Sequence, residues 1–386
     1  MKINRHLKIT GLIIFSIFLR FGLIKLLGEH NSFWVKILGI IFILALGVWI
    51  IKNTAEIIEE TSEVLHERTK LAGGMLHAFG TAFPDMALGV VAAITSLGFM
   101  KTDYSQAISF AIIAAATTFG SNIYNIGYAL WCVFRQNSAN KNGIAIPIYP
   151  LIKSSGTVAP IKDHLQKPAL IELDTSMDIL CALTVLTAVV ALSMVLFGQK
   201  PAPANIKGDL YQLIRPVGFF IFILSVAVIY AFRKSKKTEE SHNDVEKDEG
   251  EEYYRNNKNS IIWLHLLFAG IAIIFAASGM VQAIKILCDS TGLPFVIAGV
   301  LAGLIGCLAE MIGVHNMTVN PRGRIGDAVV GVAMDNIITT LGASVVAIIG
   351  GIFLGGTALI LIFVIILTLN TVLIWQISKL KNYVLI

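Results

Sequence analysis

The 386-residue sequence predicts an all-α, polytopic membrane protein of about ten transmembrane helices arranged as two related halves. Three observations carry this. The chain is 55% hydrophobic and only 14% charged, with a mean hydropathy of +0.75, whereas a soluble domain carries roughly a quarter charged residues. Its apolar residues gather in blocks as long as the roughly 20 residues that cross a bilayer as a helix. A pattern of polar residues inside those blocks occurs once in each half.

The candidate spans are 9–27, 33–56, 70–98, 105–134, 178–198, 210–232, 259–287, 293–318, 325–351 and 355–379. The start of the chain, with Lys2, Arg5 and Lys8 before an apolar run, imitates a signal peptide. The run is long, is interrupted by Arg20 and lacks a small-residue cleavage site, so it reads as a retained span. With the N-terminus placed in the cytoplasm, the inner segments hold 22 Lys and Arg and the outer segments 6. That positive-inside bias predicts an even number of spans with both termini cytoplasmic. The net charge of +5 is therefore an orientation signal and no nucleic-acid footprint. Cys132, Cys181, Cys288 and Cys307 have neither metal-type nor redox-type spacing and read as packing residues.

Four parts result: an extra N-terminal helix in 1–32, a first repeat in 33–232, a charged cytoplasmic linker in 233–258 and a second repeat in 259–386. The linker mixes both signs of charge and is too short for its own core. The repeat itself is GTAFPDMALGVVAAI (80–94) with FGSNIYNIGYAL (119–130), against LIGCLAEMIGVHN (304–316) with AMDNIITTLGASV (333–345). The spans holding Asp85 and Glu310 run in opposite directions in the predicted topology. Similar units of opposite direction form an inverted repeat, which places a substrate site near the bilayer midplane.

A carboxylate at mid-bilayer costs about 2.5–3.5 kcal/mol on the lenient insertion scale, so Asp85 and Glu310 are expected to face a cavity and meet a cation or a proton. The alternative is a hydrogen-bonded structural acid. Pro84 should kink its helix and free carbonyls near 80–81. Thr81 and Asp85 are four residues apart and share a face, as do Ser121 with Asn125 and Asp335 with Thr339. Their oxygens suit hard cations, although single Ser and Thr residues often serve helix packing. Asn122 and Asn336 point about 100° away from those faces and read as interhelical contacts. His77 and His315 are either interhelical hydrogen-bonding groups or proton-linked sites. Asp327 reads as a helix N-terminal charge. Glu56, Glu59, Glu60, Glu63 and Glu67 read as a solvated helix face.

GTAFPD (80–85) with GSNIYN (120–125) resembles the first alpha repeat of the cation/calcium exchanger superfamily, G-T-S-L-P-E followed by G-S-N-I-x-N. The segment ending at Glu310, with MDNIIT (334–339), is similar to a degenerate second repeat. The resemblance covers roughly residues 36–379 and implies a fold of the sodium/calcium exchanger type. It implies ion binding by Thr81, Asp85, Ser121, Asn125, Glu310, Asp335 and Thr339, with Asp85 and Glu310 as the metal-binding acids. It also implies antiport of Ca2+ against Na+ by alternating access, in the plasma membrane, with no enzymatic activity. Inorganic cations and the bilayer are then the partners, and the ions are cargo with no cofactor. Three departures weaken the Na+ assignment: Ala82 replaces a serine, and Gly306 and Cys307 replace a threonine and a serine. Exchange of Ca2+ or another cation for H+ on the same fold is the alternative.

Overall fold

Within a bilayer a backbone can satisfy its polar groups only by closing its own hydrogen bonds, so long apolar runs become helices. The computed structural model describes residues 5–29, 32–69, 75–148, 156–203, 208–236, 253–320 and 325–385. Each predicted span overlaps a helix or, for 293–318, a broken pair of helices. These are α1 (Arg5–Glu29), α2 (Phe33–Thr69), α3 (Met75–Phe99), α4 (Tyr104–Asn142), α5 (Leu170–Phe197) and α6 (Arg215–Lys236), then α7 (Asn259–Thr291), the broken pair α8 (Phe295–Gly306) and α9 (Leu308–Thr318), α10 (Ile325–Ile349) and α11 (Gly356–Leu385). Among the described residues, eight helices are long and apolar enough to cross a membrane, and nine if α8 and α9 count as one bent span. The apolar part of α6 is shorter, which accounts for the difference from ten.

Five short strands qualify the all-α expectation. β1 (Ile146–Pro147) pairs with β2 (Thr157–Val158). β3 (Gln199–Lys200), β4 (Leu210–Gln212) and β5 (Phe353–Gly355) form a small antiparallel sheet at the end of the bundle opposite the linker. The predicted span 210–232 therefore begins as a strand and turns helical only at Arg215.

The helices pack in matched pairs. α2 lies along α7, and α5 along α11. α4 packs on α8 and α9, and α10 packs on α3. α4 touches α11, and α10 touches α5. Exchanging the two halves leaves these pairings unchanged, while α6 on α10 has no counterpart. α4 and α10 are central: 89% and 83% of their most apolar stretches are buried, against 22% for α1.

Glycines allow the closest approaches. A Cβ on Gly303 of α8 would lie 2.7 Å from the Thr117 carbonyl oxygen and 2.7 Å from the Ser121 nitrogen of α4. One on Gly120 would lie 2.9 Å from the Val300 Cα. Small residues in register are how helices approach each other in lipid.

α1 packs along α7 and α2. Midway it makes a π-helical turn, Phe18–Leu23, and Arg20 donates from Nε to Ser278 Oγ of α7 at 2.7 Å. At its start, Arg5 and Lys8 pair with Glu60 and Glu56 of α2 at 2.8 and 3.2 Å. Of the expected solvated face, Glu60 is thus largely covered by α1 while Glu56 stays exposed, and the side chains of Glu63 and Glu67 lie outside the described residues. His6 Nδ1 lies 2.8 Å from His265 Nε2, and His265 Nδ1 lies 3.0 Å from the buried Tyr254 hydroxyl. Burial, with the neighbouring Glu60 carboxylate, raises the Tyr254 hydroxyl above its ordinary range. The cysteines form no disulfide; Cys181 is exposed and the other three are buried.

A broken helix and its buried carboxylates

The span 293–318 breaks at Cys307, between α8 and α9, with a bend of 51°. Three of the 12 residues of α8 are glycines (Gly299, Gly303, Gly306), and α8 approaches α4 closely before the chain turns away. In the first repeat, where Pro84 was expected to kink the helix, α3 runs through Pro84 without interruption. Proline removes one backbone hydrogen bond, which a helix packed among neighbours tolerates in a membrane. The side chains of His77, Thr81 and Asp85, all on α3, lie outside the described residues.

The break places Glu310 in the first turn of α9, where the positive end of a helix favours a carboxylate. Glu310 is buried at 7% exposure. Asn125 of α4 donates from Nδ2 to Glu310 Oε2. This contact unites one candidate ligand from each half of the sequence.

Ser121, a turn before Asn125, donates its hydroxyl proton to the Thr118 carbonyl at 2.9 Å. Thr339 does the same to the Asp335 carbonyl at 2.9 Å. Such back-bonding spends the proton and leaves the hydroxyl lone pairs for another partner. Asp335 is buried at 7% exposure on α10, which packs against α3, α4 and α9. The α3–α10 seam is tight: a Cβ on Gly342 would come 2.5 Å from Met86 Cγ, the residue after Asp85. Thus α3, α4, α9 and α10, which carry all the candidate ligands, converge. Among the described residues, no three His, Cys, Asp or Glu side chains are grouped as a metal centre.

Sequence reasoning missed two features. Asn122 and Asn336 were expected to join helices, yet Asn122 Oδ1 and both amide atoms of Asn336 lack a hydrogen-bond partner among the described residues. Both residues are buried. The second feature is Tyr128, one turn beyond Asn125, whose hydroxyl lies 2.8 Å from His315 Nδ1. His315 is buried and its Nε2 has no partner among the described residues. Two consecutive polar contacts therefore bridge α4 and α9.

No protein-family model and no curated protein matches the chain. Solved structures do. The crystal structure of the H+/Ca2+ exchanger CAX aligns with 99% of this chain and 96% of its own, at a TM-score of 0.57 and 13% identity. Native YfkE aligns with 98% and 97%, at 0.52 and 12%. The protein has the fold of polytopic helical exchangers. More particularly, it is the cation/calcium exchanger fold, as the alpha-repeat resemblance implied.

Proposed function

We propose that the protein is an antiporter that moves Ca2+ against a monovalent cation by alternating access, through an inverted repeat whose halves meet at α3–α4 and α9–α10. The observation that carries this reading is the buried Glu310–Asn125 contact at the break between α8 and α9. The buried acids Glu310 and Asp335, together with Asp85 of the first half, supply negative charge that one Ca2+, or two or more monovalent cations, can neutralise. The two cargoes exclude one another at one site, and an empty charged site is costly to carry across the membrane. The matched helix pairings support the repeat reading. Asp85 takes the place of the second metal-binding acid, and Thr81, Ser121, Asp335 and Thr339 supply further oxygens. Both termini are placed in the cytoplasm on the charge bias, and the plasma membrane is the location that the exchanger resemblance implies.

Na+ is the counter-ion that the repeat motif implies, but the geometry favours protons. Where the motif has hydroxyl ligands, Cys307 turns its thiol to the Leu304 carbonyl at 3.5 Å and lies 3.8 Å from the Met311 sulfur. Sulfur is a poor ligand for Na+. The Tyr128–His315 pair places proton-transfer groups one turn from the Glu310–Asn125 contact. The test is 45Ca2+ uptake into proteoliposomes, driven in parallel by an outward H+ or Na+ gradient. Uptake under the H+ gradient that is lost in Glu310→Gln supports the proton reading. Uptake under Na+ alone restores the sodium reading, and uptake under neither refutes Ca2+ exchange.

A further inference from the structure

At the end of the bundle opposite the linker, a cavity of about 650 Å³ opens between the ends of α3 and α10, the start of α6 and the small sheet. Three cations line it: Lys101 from the α3–α4 turn, Lys200 from β3 and Arg215 from the first turn of α6. All three are exposed side chains, and none has an ion-pair partner among the described residues. Asp209 borders Lys200 on its other side, in a neighbouring depression, without pairing with it. The convergence is notable because the sequence keeps positive charge away from this end, with 6 Lys and Arg in its segments against 22 at the other.

The helix ends at the cavity have mixed signs. α6 begins there with Arg215 and Pro216, so its positive end faces the space. α3 and α10 end there, but α10 closes itself off. Gly350 adopts φ +103, a region open to glycine, so that its own and the next amide both bond back to the Val346 carbonyl at 2.9 and 3.1 Å. Gln212 Nε2 takes the Gly350 carbonyl at 3.2 Å. Three formal charges therefore outweigh the remaining helix dipoles. Between the cations the walls are apolar, with Met100 and Ile349 among them.

We infer that this cavity is a binding site for a phosphate-class anion, held by Lys101, Lys200 and Arg215, with apolar walls suited to the glycerol of an anionic phospholipid headgroup. The bound anion ties the ends of α3 and α6 to the sheet. The site is separate from the buried acids, and its test does not depend on which ions are exchanged.

The purified full chain in neutral detergent is titrated with dihexanoyl phosphatidylglycerol, dihexanoyl phosphatidylcholine and inorganic phosphate, and bound copies are read by native mass spectrometry. One phosphatidylglycerol is expected to bind in preference to phosphatidylcholine, weakening as salt rises. Each of Lys101→Gln, Lys200→Gln and Arg215→Gln should weaken it roughly fivefold, from the usual strength of a basic residue at an anionic surface. Lys101 lies in an exposed turn, so Lys101→Gln keeps the test valid if Arg215→Gln fails to fold. Inorganic phosphate binding with the same losses assigns the site to free anions and upholds it. Phosphatidylglycerol that binds no better than phosphatidylcholine, with no phosphate binding, overturns the inference. So does binding that is unchanged in Lys101→Gln and Lys200→Gln.

Discussion

Gly303 and Gly313 stand on either side of Glu310 in one apolar stretch, and a small-residue argument from sequence treats them alike. The structure separates them. A methyl on Gly303 would sit 2.7 Å from two backbone atoms of α4, the Thr117 carbonyl oxygen and the Ser121 nitrogen, and 3.2 Å from the Gly120 carbonyl carbon. No side chain can rotate away, so α8 must retreat from α4. Reaching ordinary contact of about 3.5 Å requires roughly 0.8 Å of separation, and overpacking of that kind costs about 1–3 kcal/mol. A methyl on Gly313 meets nothing within 4 Å, and Gly→Ala in a helix interior gains about 0.5–1 kcal/mol. The two variants, chemically identical, should thus differ by about 1.5–4 kcal/mol. The assay is the denaturation midpoint of purified protein in detergent, alongside 45Ca2+ uptake. Gly303→Ala should lower the midpoint and depress uptake, because the displaced backbone includes Ser121. Gly313→Ala should leave uptake intact and hold or raise the midpoint. Equal midpoints, or a lower one for Gly313→Ala, would refute the reasoning.

Two further outcomes follow from single contacts. Asn125→Leu removes the donor that orients the buried Glu310 carboxylate; a hydrogen bond to a charged group contributes about 1.5–3 kcal/mol, so the Ca2+ concentration for half-maximal uptake should rise at least tenfold, and an unchanged value would sever Asn125 from the site. His164 is held below its ordinary value of 6.5 chiefly by burial, against the raising effects of the Ala159 carbonyl and Asp163. Since the native state favours its neutral form, His164 stabilises its loop above pH 6.5 and loses that contribution as pH falls below it. After correction for the slower intrinsic exchange at low pH, amide protection in residues 156–164 should fall on acidification in the native sequence and less so in His164→Gln.

Much of the fold was legible because hydropathy reports the stretch that must lie in lipid. It does not report where a helix stops. α4 continues past the predicted end at 134 to Asn142 because its polar tail is braced by neighbours. Gln136 donates to the Ala159 carbonyl at 2.8 Å, and Asn140 Oδ1 accepts from the Ile161 amide at 2.8 Å. The sheet was invisible for a related reason: strands of two or three residues, drawn from 199, 210 and 353, carry no periodicity. The break at Cys307 was signalled only as a run of glycines, whereas Pro84, the stronger breaker by rule, sits in an unbroken α3.

Glu310 and Asp335 are buried where the sequence expected ligands, while the buried Asn122 and Asn336 have amide atoms without the partners that a packing role would give them among the described residues, and the cause is the use of helix faces. The i, i+4 rule sets Ser121 and Asn125 on one face and Asn122 on another, which identifies a ligand only if the other face packs on protein without polar demand. α4 and α10 are buried on nearly every side, so angular position alone cannot tell a ligand from a packing group. Partnership can. Asn137, further along α4, is a packing amide: its Nδ2 donates to Gln376 at 2.8 and 2.9 Å. Asn336 has no exposure, and neither of its amide atoms has a partner among the described residues. An unsatisfied buried polar group costs about 1–3 kcal/mol, so such an amide persists only with a ligand or water, or at a loss. The two cases move in opposite directions in one variant. If Asn336 serves packing alone, Asn336→Leu should raise the denaturation midpoint and leave uptake unchanged. If Asn336 belongs to the ion path, as its position beside Asp335 argues, the same variant should lose uptake while keeping or raising its midpoint. Stable protein with normal uptake would return Asn336 to the packing role that the sequence alone assigned it.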